Sequence, residues 1–113
     1  MAAYLIVQIT VRDAATYERY KELAPPTIAA YDGRYVARGG STETLEGSWR
    51  PTRLVILEFP TAQRAREWWS SPEYAPAKEM RQRAADTEMV LIEGLTPAAS
   101  AALSATAKDT AAR

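Results

Sequence analysis

The chain has 113 residues, with 14 lysines and arginines against 14 aspartates and glutamates and a pI near 6.3. That balance gives no electrostatic footprint for nucleic acid or an anionic membrane, and the length suits one domain with a modest core. Cysteine and histidine are both absent, which excludes disulfides, thiolate nucleophiles, imidazole bases, Ser-His-Asp triads and histidine-ligated zinc or haem.

Residues 1 to 7 lack a basic leader pattern, and Gln8 and Thr10 interrupt the apolar run well short of a membrane span. A soluble, cytoplasmic protein is expected. Residues 3 to 11 alternate Leu5, Val7, Ile9 and Val11 with Tyr4, Ile6, Gln8 and Thr10, which is the period of a strand. Asp13 then has the chemistry of an N-cap, and Tyr17, Tyr20 and Ala24 recur at helical spacing. Pro25 and Pro26 remove two amide donors, so the pattern predicts a break, a short helical turn through Ile28 to Tyr31, and Gly33 as a left-handed terminator.

The stretch from Gly33 to Pro60 organises the rest. Two apolar runs, one in Gly33 to Gly40 that ends in the paired glycines and one in Arg53 to Pro60 that starts just after Pro51, flank a long loop carrying Trp49 and read as a β-hairpin. Thr61 caps a second predicted helix with Ala65, Trp68 and Trp69 on one side. Ser71 and Pro72 restart a helix that turns Tyr74, Ala77, Met80 and Ala84 inward. Met89 to Ile92 form a last strand ended by Gly94. Residues 1–95 therefore make one domain, and residues 96–113 an alanine-rich tail expected to be disordered or a frayed helix.

The order βαββαβ predicts an α+β, ferredoxin-like fold: a four-stranded antiparallel sheet with the helices on one face. The opposite face keeps Tyr4 and Ile6, and Leu54 to Leu57 are apolar on both sides. Something must cover that face, and an isologous homodimer is the economical answer.

These residues resemble the uncharacterised family called domain of unknown function 1330, in the superfamily of dimeric α+β barrels with a ferredoxin-like subunit. The matching stretches are Pro25-Pro26-Thr27-Ile28, Tyr31 with Gly33-Arg34-Tyr35, Arg38-Gly39-Gly40, Leu45-Glu46-Gly47 with Trp49, Leu57-Glu58-Phe59-Pro60, and Trp68 with Ser71-Pro72-Glu73-Tyr74. Asp32, where the pattern suggests glycine, and Trp69, where it suggests tyrosine, depart from it. The resemblance implies the dimeric barrel and no established activity. The wider superfamily includes cofactor-independent monooxygenases, lactone isomerases and haem proteins, and the haem branch needs a histidine this chain lacks.

Arg38, beside Gly39 and Gly40, is the candidate holder of a carboxylate or enolate oxygen; its structural alternative is an ion pair with Glu58 or Glu93. Glu58, the acid of an apolar strand, is the candidate general base if burial raises its pKa. Tyr17, Tyr20, Tyr31, Trp68, Trp69 and Tyr74 line an aromatic pocket or else form core, and Trp49 covers a pocket mouth or docks on a second subunit. No metal site and no cofactor are expected. Two functions remain: a homodimeric small-molecule-binding protein, acting as a cofactor-free isomerase, cyclase or monooxygenase on an aromatic or oxygenated metabolite, and a noncatalytic dimeric interaction module.

Overall fold

The computed structural model describes residues 1–110, with side chains through Ser104. In chain order it contains β1 (Ala3–Val11), α1 (Ala14–Ala30), β2 (Arg34–Arg38), β3 (Leu54–Phe59), α2 (Ala62–Trp69), α3 (Ala75–Ala84), β4 (Ala85–Glu93) and α4 (Pro97–Thr110). All neighbouring strands are antiparallel in the order β2-β3-β1-β4, which is the ferredoxin-like arrangement. No described helix is long and apolar enough to cross a membrane.

Strand alternation decides the two faces. Leu5, Val7 and Ile9 of β1 and Val55, Leu57 and Phe59 of β3 are buried beneath the helices, with Tyr17, Ala24 and Ile28 of α1, Ala65 and Trp68 of α2 and Ala77 and Ala84 of α3. The other face carries no helix. There Ile6 sits between Ile56 and Val90, and Tyr4 between Glu58 and Ile92. Val90 and Ile92 remain 62% and 51% exposed.

Several local expectations need correction. The two prolines do not break α1, which runs unbroken through Pro25 and Pro26 because buried Ala24 and Ile28 hold its last turns against the sheet. The left-handed residue after it is Asp32, at φ 65°, and not Gly33. Gly33 is needed for space: a Cβ there would lie 2.5 Å from the Phe59 ring and 2.8 Å from Ile28. Helix α3 starts at Ala75 and not at Pro72. Ser71 caps the turn that leads into it, as expected, its hydroxyl accepting from the Tyr74 amide at 3.1 Å and donating to the Trp68 carbonyl at 2.7 Å. Trp69 is 44% exposed, with the Lys78 ammonium 4.0 Å from its ring centre.

The alanine-rich segment beyond Thr96 forms α4, where Thr96 Oγ1 accepts from the Ala99 amide at 3.0 Å. High alanine helix propensity accounts for it. Residues 111–113, the rest of the expected tail, lie outside the described residues.

Candidate functional site

A small cavity lies between α1 and the covered face of the sheet. Its walls include Tyr17, Tyr20, Tyr35, Arg38, Arg53 and Trp68, and it encloses about 20 Å³, room for one water. Arg38 and Arg53 stand at its rim. They also line an open depression of about 450 Å³ on the outside, shared with Glu18, Lys21 and Glu22. Each guanidinium lies over an aromatic ring, Arg38 4.8 Å from the centre of Tyr35 and Arg53 5.6 Å from that of Tyr17. Among the described residues neither arginine has a carboxylate partner; Glu18 pairs with Lys21 at 2.8 Å.

The local backbone explains both positions. The β2–β3 register shifts between Tyr35 and Ala37, so that Arg34 faces Glu58 while Arg38 faces Val55. This bulge moves Arg38 onto the helix-covered side. Gly39 follows at φ 67°, and a Cβ there would run into the guanidinium of Arg53. Gly39 thus admits a neighbouring side chain of the same subunit, whereas a Cβ at Gly40 would meet nothing within 4 Å.

Behind the rim, hydroxyls connect the helices. Arg53 Nε donates to the Tyr17 hydroxyl at 3.2 Å, the Tyr20 and Tyr74 hydroxyls are bonded at 2.8 Å, and Arg81 Nε donates to the Tyr74 hydroxyl at 3.2 Å. Trp68 stacks on Tyr74 with ring centres 4.0 Å apart, and its indole donates to Thr27. Burial, then the neighbouring Tyr74 hydroxyl, pushes Tyr20 far above the ordinary tyrosine value. It stays a neutral phenol that can donate or accept, and it cannot serve as a phenolate base near neutral pH.

The sequence-predicted residues separate into two groups. Arg38, Tyr17, Tyr20 and Trp68 line the cavity, and Tyr74 joins them through Tyr20 and Trp68. Tyr31, Trp49 and Glu58 do not. The Tyr31 hydroxyl donates to Glu73 at 2.7 Å, and the Arg64 guanidinium lies over its ring. Trp49 donates through its indole to Gln8 at 2.8 Å on the helix-free side and is 59% exposed, so it does not cover the cavity mouth.

Glu58 accepts from Arg34 at 2.8 Å. Hydrogen bonding by Arg34 first, and by Tyr4 second, holds its carboxyl below the usual carboxylate range. The alternative pairing of Arg38 with Glu58 is corrected, since the bulge puts the two side chains on opposite faces, and the burial that would have made Glu58 a general base is not found: an adjacent arginine, Arg34, pulls its pKa down. Among the described residues no three acidic side chains gather into a metal site.

Two cavity-lining arginines, Arg53 and Arg81, escaped the sequence reading, although a signal existed for each. Arg53 continues the Val55, Leu57 and Phe59 alternation, which assigns it to the covered face. Arg81 falls four residues after Ala77 and three before Ala84, on the inward stripe of α3, and is only 3% exposed.

The family described as Domain of unknown function (DUF1330) matches residues 2–95. Similar solved structures include a protein of unknown function from Rhodopseudomonas palustris, 22% identical over 85% of this chain and 84% of that one, with a TM-score of 0.68. A dimeric ferredoxin-like protein of unknown function from Jannaschia sp. CCS1 is 13% identical over 83% and 100%, with a TM-score of 0.62. SnoaB, a cofactor-independent oxygenase from Streptomyces nogalater, is 14% identical over 84% and 94%, with a TM-score of 0.58. At these identities the likeness is one of fold. No curated protein matches the chain.

Proposed function

This chain belongs to the family of domains of unknown function DUF1330, and we propose that it is a homodimeric small-molecule-binding protein whose ligand is an aromatic or oxygenated carboxylate. The observation that carries this reading is the convergence of Arg38 and Arg53 at one cavity rim, over Tyr35 and Tyr17, without a carboxylate partner among the described residues. Two guanidinium groups offer paired donors to a carboxylate, and the rings supply the flat apolar surface that orients a planar ligand. The outer depression seats the ligand, since the enclosed part admits only a water.

The homodimer rests on the helix-free face. Tyr4, Ile6, Leu54, Ile56, Val90 and Ile92 form an apolar patch on one side of a two-layer domain, and a second copy of the same patch is its natural cover. Trp49, held by Gln8 at the edge of this face, docks on the partner in that arrangement.

A second reading, catalysis without a cofactor, draws support from the cofactor-independent oxygenase that shares the fold. In that reading Arg38 and Arg53 stabilise a developing oxyanion and Tyr17 positions the substrate. Glu58, ionised on the other face, has no part in it.

Native mass spectrometry of the protein purified from its own host tests the binding reading. A dimer that retains a reproducible small molecule, lost in Arg38→Ala/Arg53→Ala, is the expected result. A bare dimer that also fails to bind any carboxylate in solution would support the noncatalytic interaction module instead.

A further inference from the structure

A second cation lies beyond the site just described. Arg81 is 3% exposed, yet it has no carboxylate partner among the described residues, and its hydrogen bond to protein runs from Nε to the Tyr74 hydroxyl at 3.2 Å. A buried guanidinium held by a neutral phenol is costly unless its remaining donors reach solvent or an anion. The residue borders an opening. Arg81 lines a cavity of about 640 Å³ between α3 and β4, together with Trp69, Gln82, Thr87 and Met89. Besides Tyr74, the Tyr20 hydroxyl also hydrogen-bonds this side chain, so its protein partners there are neutral phenols. The cavity thus borders a buried cation that no carboxylate of the described residues neutralises, beside a Thr87 hydroxyl that is sealed and without a partner.

The rim limits what fits. Asp86, bonded by Arg12 at 3.1 Å, and Glu88 also border the cavity, and their charges oppose a dianion such as phosphate. Trp69 and Met89 give an apolar wall for a flat body. We propose that Arg81 is the anchor of a second binding site, between α3 and β4, for a planar monocarboxylate whose body lies against Trp69 and Met89. The site does not depend on Arg38 or Arg53. Two links join it to them: the chain of tyrosines from Arg81 through Tyr74 and Tyr20 to Tyr17, and Met89, which borders both cavities.

Benzoate and its neutral isostere benzamide are the probes, titrated into the full chain while NMR follows the Trp69 indole, identified with Trp69→Phe, and the Met89 methyl. Benzoate should move both signals saturably, and benzamide should bind about tenfold more weakly because it cannot use the charge. Arg81→Gln should abolish the Trp69 shift, whereas Arg38→Ala should leave it in place, because Trp69 borders this cavity and not the one at Arg38, which Met89 also borders. Equal affinity for the two probes, no shift at millimolar benzoate, or loss of the Trp69 shift in Arg38→Ala with retention in Arg81→Gln each overturns the proposal. Should Arg81→Gln fail to fold, the comparison of benzoate with benzamide on the unaltered chain decides alone.

Discussion

Arg38 donates through Nη2 to the carbonyl of Lys21 at 2.8 Å. That carbonyl lies four residues before Pro25, which has no amide hydrogen to give it. A side chain from β2 thereby supplies the donor that the helix lacks, and α1 continues where its sequence predicts a stop. The same guanidinium borders the proposed ligand site, so Arg38 links the integrity of α1 to binding.

Arg38→Ala should lower stability by about 0.5–1 kcal/mol, the worth of one ordinary hydrogen bond. In a Pro25→Ala background, where the helix regains its own donor, the same change should cost close to nothing. Urea unfolding of the four proteins in this cycle measures the coupling. Additive losses would show that Arg38 does not compensate for the proline.

Gly39→Ala should destabilise by about 1 kcal/mol from its left-handed backbone alone, with a further loss as the Cβ displaces the Arg53 guanidinium. Gly40→Ala provides the control, since a Cβ there has nothing within 4 Å. Thermal unfolding and carboxylate binding should both separate the two variants. Equal behaviour would mean that Arg53 is not seated by Gly39.

Val90→Lys places a charge on the helix-free apolar face, in edge strand β4 beside Ile6. Sedimentation should find the unaltered protein at twice its 12.5 kDa and the variant at 12.5 kDa, with the secondary structure of both unchanged by circular dichroism. A variant that remains dimeric would place the interface elsewhere.

Stability should be nearly flat between pH 6 and 8, because no histidine or cysteine side chain titrates there. Below that range three carboxyls matter. Glu58 is depressed by Arg34, Asp13 by the Thr16 hydroxyl and Glu73 by the Tyr31 hydroxyl. A folded-state pKa below the unfolded one adds stability that is complete above about pH 5 and is lost as pH falls through the folded value. Chemical unfolding across pH 2 to 8 should therefore show the decline confined to acid, and Glu58→Gln should make it shallower. A decline beginning above pH 6 would contradict this assignment.

The amino-acid sequence determined the order and type of the elements, because strand and helix periods are local properties of the chain. The alternation of residues 3–11 appears as β1, and the paired apolar runs about the long loop appear as β2 and β3. It also marked the aromatic residues that pack together, since Tyr17, Tyr20, Trp68 and Tyr74 lie on inward stripes. Tertiary structure alone decided which charges meet. The hairpin register gives Glu58 to Arg34, and the bulge between Tyr35 and Ala37 then reverses the facing of Ala37 and Arg38, leaving Arg38 for Lys21 and the cavity rim. Whether a helix survives two prolines is likewise a matter of distant partners: packing of Ala24 and Ile28, and one arginine from a strand, outweigh what the local sequence prefers.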